Sequence, residues 1–145
     1  MLPGRPGRGQ DMLRYVIALV MVAHGIGHSI GVMQSLRIAP INPDWNGDSW
    51  LITGFAGTSV TQAVGVLVWT VALVGFVLAA TVVVGWLPET WWAPLAVGSS
   101  LLSLAGLLLF PAAFPVTSTL GALVVDLVVL AAVLWADWTP RDLPA

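Results

Sequence analysis

The sequence lacks cysteine and lysine and contains few charged side chains of either sign. Its 145 residues include five arginines and seven acids, so only 8% are charged, against about 25% in soluble domains. The absence of cysteine excludes disulfides, thiolate metal ligands and thiol redox chemistry. Five basic side chains and a net charge of −2 also exclude nucleic-acid binding.

Apolar residues dominate what is present. They make up 58% of the chain, and the mean hydropathy is +0.94, which excludes disorder and exceeds what a soluble domain of this size can bury. Each of four apolar stretches has the roughly 20 residues that a membrane-spanning helix requires, and the period-two alternation of a β-barrel is absent. The sequence predicts an all-α four-helix transmembrane bundle, a single integral membrane domain over 1–145, with spans at 13–36, 61–87, 92–114 and 118–138.

The arginines predict the orientation in the membrane. Arg5, Arg8 and Arg14 flank the start of the first span, Arg37 alone follows its end, and Arg141 follows the last span. The positive-inside rule then places both termini in the cytoplasm. Positive charge carried by arginine alone is typical of a GC-rich bacterial genome, so we expect a multi-pass protein of the bacterial inner (plasma) membrane. An aromatic belt supports the same inner boundary; its members are Tyr15, Trp86, Trp91, Trp92, Trp135 and Trp138.

The outer loop, residues 37–60, has two parts. The first is rich in turn residues, with Asn46-Gly47 as its strongest turn signal. The second, from Trp50 to Gly57, is apolar but too short to span. It predicts either a lid over the mouth of the bundle or an interfacial anchor that uses Trp45 and Trp50.

Three ionisable side chains fall deep inside the spans, where such groups are costly and often functional. Counted from the outer span ends at about 1.5 Å per residue, His28 lies about 9 Å deep, Asp126 about 12 Å and His24 about 15 Å. His24 and His28 are four residues apart and therefore share one helix face. The sequence predicts that the two histidines and the deep acid form one layer, as candidate catalytic residues.

Further polar and aromatic side chains fall at similar depth. Ser103 lies about 13 Å deep, and Trp69 and Thr70 lie about 10–12 Å deep. Together with Ser99, which precedes Ser103 by one turn, these are the candidate binding residues.

Three interpretations of this layer remain open from the residues. It can be a structural cluster that fixes helix register in a non-enzymatic membrane subunit. It can bind a small lipophilic molecule and transfer protons to or from it, in isomerisation or epoxide-opening chemistry, because a carboxylate orients an imidazole and raises its basicity. It can also be a His₂Asp metal site, although Gly25 stands where the H-E-x-x-H motif has its glutamate. No cofactor is indicated.

Gly27 and Gly31 form a small-xxx-small pair, which predicts close approach of another helix. That helix can belong to the same bundle, to a second copy of the chain or to a partner membrane protein.

The first span carries His24-Gly25-x-x-His28, and further segments are Ser49-Trp50-Leu51, Ser103-Leu104 and the stretch from Gly121 to Asp126. In these features the chain resembles small bacterial four-span membrane proteins with an HGxxH first helix, whose general plan is similar to that of DoxX-like proteins. The resemblance implies four helices and the HGxxH feature, and it implies no substrate.

Overall fold

The computed structural model describes residues 8–39, 41–43 and 45–143. Within these ranges the chain forms helices and turns, without a strand, and four of the helical segments are long and apolar enough to cross a membrane. They are Met12–Ser35, Thr53–Val83, Glu89–Leu109 and Val116–Leu134. The prediction of an all-α four-helix bundle is confirmed, and the four apolar helices support a multi-pass membrane protein.

The first span consists of two helices, α1 (Arg8–Gly27) and α2 (Ser29–Ser35). They meet at His28, whose backbone N–H donates to the carbonyl of Gly25 at 3.0 Å. A bond to the third preceding residue instead of the fourth tightens the turn, and such a turn inside a helix often marks a functional site or a hinge. The break in the first span therefore coincides with the second histidine.

The second span is helix α3, Thr53–Val83, which begins eight residues before the predicted span at 61. Its first turn is set apart by Gly57, whose φ of 78° and ψ of 170° are not helical. Thr61 stabilises this kink, because its hydroxyl donates to the Gly57 carbonyl at 2.9 Å. The apolar segment after Trp50 thus forms a short turn of its own before the long helix.

A hairpin and a turn connect the remaining helices. A 3-10 turn, Glu89–Trp91, leads into α4 (Trp92–Leu109), and α5 (Val116–Leu134) follows after Pro111 and Pro115. Proline suits these helix ends because it lacks the amide donor. We call the end of the bundle that carries residues 37–52 the loop end, and the end that carries residues 84–91 the hairpin end.

In the described part of the chain, the four spans do not pack into a closed ring. Helix α1 packs against α3, α3 against α4, and α4 against α5, whereas α1 and α5 are not closely packed against each other. Two apolar clusters fill the interior, one near each end. The hairpin-end cluster includes Met21, Phe76 and Trp92, and the loop-end cluster includes Trp69, Leu107 and Phe110.

The loop end is held down by hydrogen bonds to the last turn of α4. Trp50 Nε1 donates to the Leu108 carbonyl at 2.7 Å, and Ser49 Oγ donates to the Leu109 carbonyl at 2.8 Å. Gln34 Nε2 donates to the Ala113 carbonyl, while its Oε1 accepts from the backbone N–H of Asn42 at 2.8 Å. Because carbonyls at a helix C-terminus otherwise lack partners, these contacts fasten the loop to the end of the bundle. Both the lid and the interfacial anchor stay predictions.

At the hairpin end, one member of the predicted aromatic belt is placed differently. Tyr15, Trp86, Trp91 and Trp135 are exposed, but Trp92 is buried. Its Nε1 donates to the Trp138 carbonyl at 3.0 Å, and the two rings meet edge to face. Trp92 therefore fixes the segment after α5 against the bundle. The orientation of the termini stays a prediction, and Arg5, on which it partly depends, lies outside the described residues.

Candidate functional site

A layer of polar side chains lies between the two apolar clusters, centred on Asp126. This residue of α5 has no exposed surface. One carboxylate oxygen accepts a hydrogen bond from Ser103 Oγ of α4 at 2.6 Å, and the other lies 2.9 Å from His24 Nε2 of α1. Asp126 thereby joins three helices, and three of the residues predicted to share a layer do meet.

The contact between His24 and Asp126 fits the tautomer of His24 that carries its proton on Nε2. In that tautomer Nε2 donates the hydrogen bond and the carboxylate oxygen accepts it. Nδ1 of His24 is then left with a lone pair and can accept a proton. The arrangement is that of a carboxylate that orients an imidazole base.

His28 lies one turn along the helix and is 2% exposed. Its ring meets that of His24 edge to face, with centroids 4.8 Å apart, and stacks on Trp69 at 5.6 Å and 18°. Its Nε2 is buried without a hydrogen-bond partner. Such an atom costs about 1–3 kcal/mol, and in a native protein it indicates a bound water, a ligand or a functional role.

A cavity of about 200 Å³ opens beside the two histidines, between α1 and α5. It lies below the range of about 300–1,000 Å³ typical of ligand pockets. Both histidines line it together with Ser118 and Phe114, whereas Asp126 stands behind them. The remaining lining residues are Ala23, Gly27, Ile30 and Ala122.

Ser118 and Phe114 are cavity residues that the sequence analysis missed. Ser118, Ala122 and Asp126 succeed one another at intervals of four and so share one face of α5. That spacing was a signal that could have found Ser118. Phe114 belongs to the turn before α5 and carries no such signal.

Trp69 supports the site from behind. It is fully buried and packs against Phe114 with ring centroids 5.0 Å apart. Its indole ring lies so close to Gly31 that a Cβ there would come within 2.7 Å of it, and a Cβ at Gly106 would come within 2.6 Å. Trp69 does not line the cavity, so its contact with the site is the stack on His28.

Ser99 and Thr70 do not join the cluster directly. Ser99 is buried and packs against Gly75 of α3, where a Cβ would overlap with the serine hydroxyl. Thr70 is exposed and lies in a groove with Ser35 and Gln62. Successive residues of a helix are about 100° apart around its axis, so Trp69 and Thr70 cannot both face the histidines.

The glycines of the first span differ from the predicted pair. Gly31 does approach another helix closely, through Trp69, but a Cβ at Gly27 would meet nothing within 4 Å. Gly25 is the second close approach, because a Cβ there would come within 3.1 Å of the Leu73 carbonyl oxygen. Gly27 instead leaves space for the cavity.

The geometry does not favour a metal site. Among the residues with a described position, no group of three His, Cys, Asp or Glu side chains is arranged to hold a metal ion. His24 and Asp126 hydrogen-bond to each other, and the unpartnered Nε2 belongs to His28. The His₂Asp alternative therefore lacks a converging ligand set.

Comparison with known proteins adds no assignment: no protein-family model, no curated protein and no solved structure matches this chain.

Proposed function

We propose that this membrane protein binds a small lipophilic molecule at His24 and His28 and transfers protons to or from it. The observation that carries the proposal is the buried Nε2 of His28, which has no partner and belongs to a ring that lines a cavity. A ligand oxygen or nitrogen would supply the missing hydrogen bond. The apolar surroundings suit a molecule that enters from the bilayer.

His24 is the base in this proposal. Asp126 holds its Nε2–H, so Nδ1 is available to take a proton. In an isomerisation, Nδ1 removes a proton from one carbon, and the imidazolium so formed returns that proton to another carbon. In an epoxide opening, Nδ1 takes a proton from water while the water oxygen bonds to one epoxide carbon and the bond from that carbon to the ring oxygen breaks. The imidazolium so formed returns the proton to the released oxygen.

A non-enzymatic membrane subunit is the second candidate. It is favoured by the hydrogen bonds from Ser103 and His24 to Asp126, which join α4, α1 and α5. Buried polar groups can fix the register of helices in this way. In that case the histidines stabilise the bundle and bind nothing.

We also propose the plasma membrane of a bacterium as the location, with both termini cytoplasmic. The distribution of the arginines and the exposed aromatic side chains at the hairpin end support this orientation. A DoxX-like relationship remains part of the same proposal.

Native mass spectrometry of the protein released from detergent tests for a ligand. The comparison includes a His24→Ala/His28→Ala variant and, as a control, Thr70→Ala, which changes an exposed residue outside the cluster. We expect an organic adduct of defined mass on the wild type and on Thr70→Ala that is absent from the double variant. Bare protein in all three samples would contradict tight binding.

Thermal unfolding of His28→Phe separates the two candidates. Because phenylalanine keeps a ring against Trp69 and His28 Nε2 makes no hydrogen bond, the binding proposal expects a small change in Tm together with loss of the adduct. A steep fall in Tm with no adduct on the wild type would favour the structural subunit.

A further inference from the structure

A second and larger cavity lies between the same two helices, closer to the hairpin end. Its volume is about 460 Å³, within the usual range for ligand pockets. Apolar side chains line it, from Val16 to Met21 on α1 and from Val124 to Ala132 on α5, and Trp92 and Trp138 lie at one end. We call it the apolar chamber.

The lining residues of the apolar chamber and of the histidine cavity follow each other along both helices. On α1 those of the chamber end at Met21 and those of the cavity begin at Ala23, and on α5 those of the cavity end at Ala122 and those of the chamber begin at Val124. The two spaces therefore follow one gap between helices that are not closely packed. A molecule with a polar head at the histidines can extend its chain into the chamber.

The depth of the two histidines below the end of α2 restricts the kind of head group that can reach them. His28 precedes the end of α2 at Ser35 by seven residues and His24 precedes it by 11, which places the rings about 10–16 Å below that end. The hydrocarbon core is about 30 Å thick, so a head at His28 would lie about a third of the way into it. A phospholipid head group remains at the membrane surface and does not reach this depth.

The charged side chains of the spans restrict the kind of head group further. Arg14, Arg37 and Arg141, the arginines whose side chains the structure describes, all lie near the ends of the spans or beyond them, so none can pair with an anionic head. Asp126 is the acid at the level of the histidines, and an ionised carboxylate there would repel a carboxylate or a phosphate. An uncharged hydroxyl or carbonyl group suits Nε2 of His28, which can donate or accept a hydrogen bond.

We infer that the gap between α1 and α5 binds a single-chain lipid with an uncharged hydroxyl or carbonyl head, the head at His28 and the chain in the apolar chamber. The inference rests on the proposed function and deepens it, because it names the class of lipophilic molecule.

Photo-crosslinking in phosphatidylcholine vesicles tests this. The probes are hexadecanol, hexadecanoic acid and a phosphatidylcholine, each with a diazirine in the acyl or alkyl chain, and labelled peptides are identified by mass spectrometry. Val16→Trp fills the chamber. Leu19→Trp is the matched control, because Leu19 is also exposed on α1 but lines a different groove of about 500 Å³.

Hexadecanol is expected to label the chamber segments of α1 and α5 at least fivefold more strongly than either other probe. Val16→Trp and His28→Ala should each reduce that labelling at least threefold, and Leu19→Trp should leave it unchanged. Hexadecanol labelling near Ser118 that depends on His28 but not on Val16 would overturn this inference and leave the proposed function intact. Equal labelling by all probes, insensitive to both variants, would indicate bulk lipid only and overturn both.

Discussion

Asp126 receives its two hydrogen-bond donors from different helices, Ser103 on α4 and His24 on α1. Within hydrocarbon no water is at hand to replace a donor that is lost. The loss of stability when one donor is removed therefore measures how much its hydrogen bond to the carboxylate contributes. Ser100 offers the comparison, since it lies on the same helix, is equally buried and has a hydroxyl without a partner.

Ser103→Ala is expected to lower the free energy of unfolding by about 1–3 kcal/mol, because a buried carboxylate oxygen loses its donor. Ser100→Ala should change it by less than about 0.5 kcal/mol or raise it, because only an unsatisfied hydroxyl is removed. Unfolding by SDS titration in mixed micelles measures both. Equal effects of the two variants would show that the bond to Asp126 contributes nothing to stability.

Gly31 is a second residue whose replacement tests one contact, the close approach of Trp69. Gly31→Ala is expected to cost about 1–3 kcal/mol, because the new Cβ would meet the buried ring of Trp69. Gly98→Ala is the control, since a Cβ there meets nothing within 4 Å and alanine favours the helix at both positions. The same SDS titration measures the difference. If both variants are as stable as the wild type, Trp69 can shift at little cost.

At the scale of the helices, the depth of a side chain along the helix axis could be predicted from the sequence, but the direction in which the side chain faces could not. An error of two residues in a span boundary moves a side chain by only about 3 Å along the axis, so His24, His28, Ser103 and Asp126 were assigned to one layer. The same error turns a helix by about 200°. For this reason Thr70 was included although it faces away, and Ser118 was missed although it faces the cavity.

The apolar patterns predicted four spans but not the internal breaks. The turn at His28 and the kink at Gly57 interrupt continuous hydrophobic runs. Glycine tolerates a positive φ, but hydropathy does not report where the backbone uses that freedom. The hydrogen bond from Gln34 to Ala113 was likewise not visible in the sequence, because it joins residues 79 positions apart.

Gln34 connects α2 to the loop and to the turn after α4, so its replacement tests how the loop is fastened to the bundle. Gln34→Leu is expected to leave the Ala113 carbonyl and the Asn42 amide without this partner, and to lower stability by about 1–3 kcal/mol. Amide hydrogen exchange in 41–50 should become several times faster. Gln62→Leu, in the groove between α2 and α3, serves as the control and should leave the exchange unchanged.

At the scale of the whole molecule, the lack of cysteine allows a direct test of orientation. Ile41→Cys places a thiol at the loop end and Thr90→Cys places one at the hairpin end, both at exposed positions. In intact bacterial cells, a maleimide that cannot cross the membrane should label Ile41→Cys alone. After the cells are broken, both should react. Labelling of Thr90→Cys alone in intact cells would reverse the predicted orientation.

The open order of helix packing has a mechanical consequence. Helices α1 and α5 are the first and the last in the packing order and are not closely packed against each other. Among the described residues, the hydrogen bond between His24 and Asp126 is the polar contact that joins them. Under the proposed function, separating these helices to admit a ligand would lengthen that hydrogen bond and release His24 from the carboxylate that orients it. The protein would then be unable to admit its ligand and to hold the base aligned at the same moment.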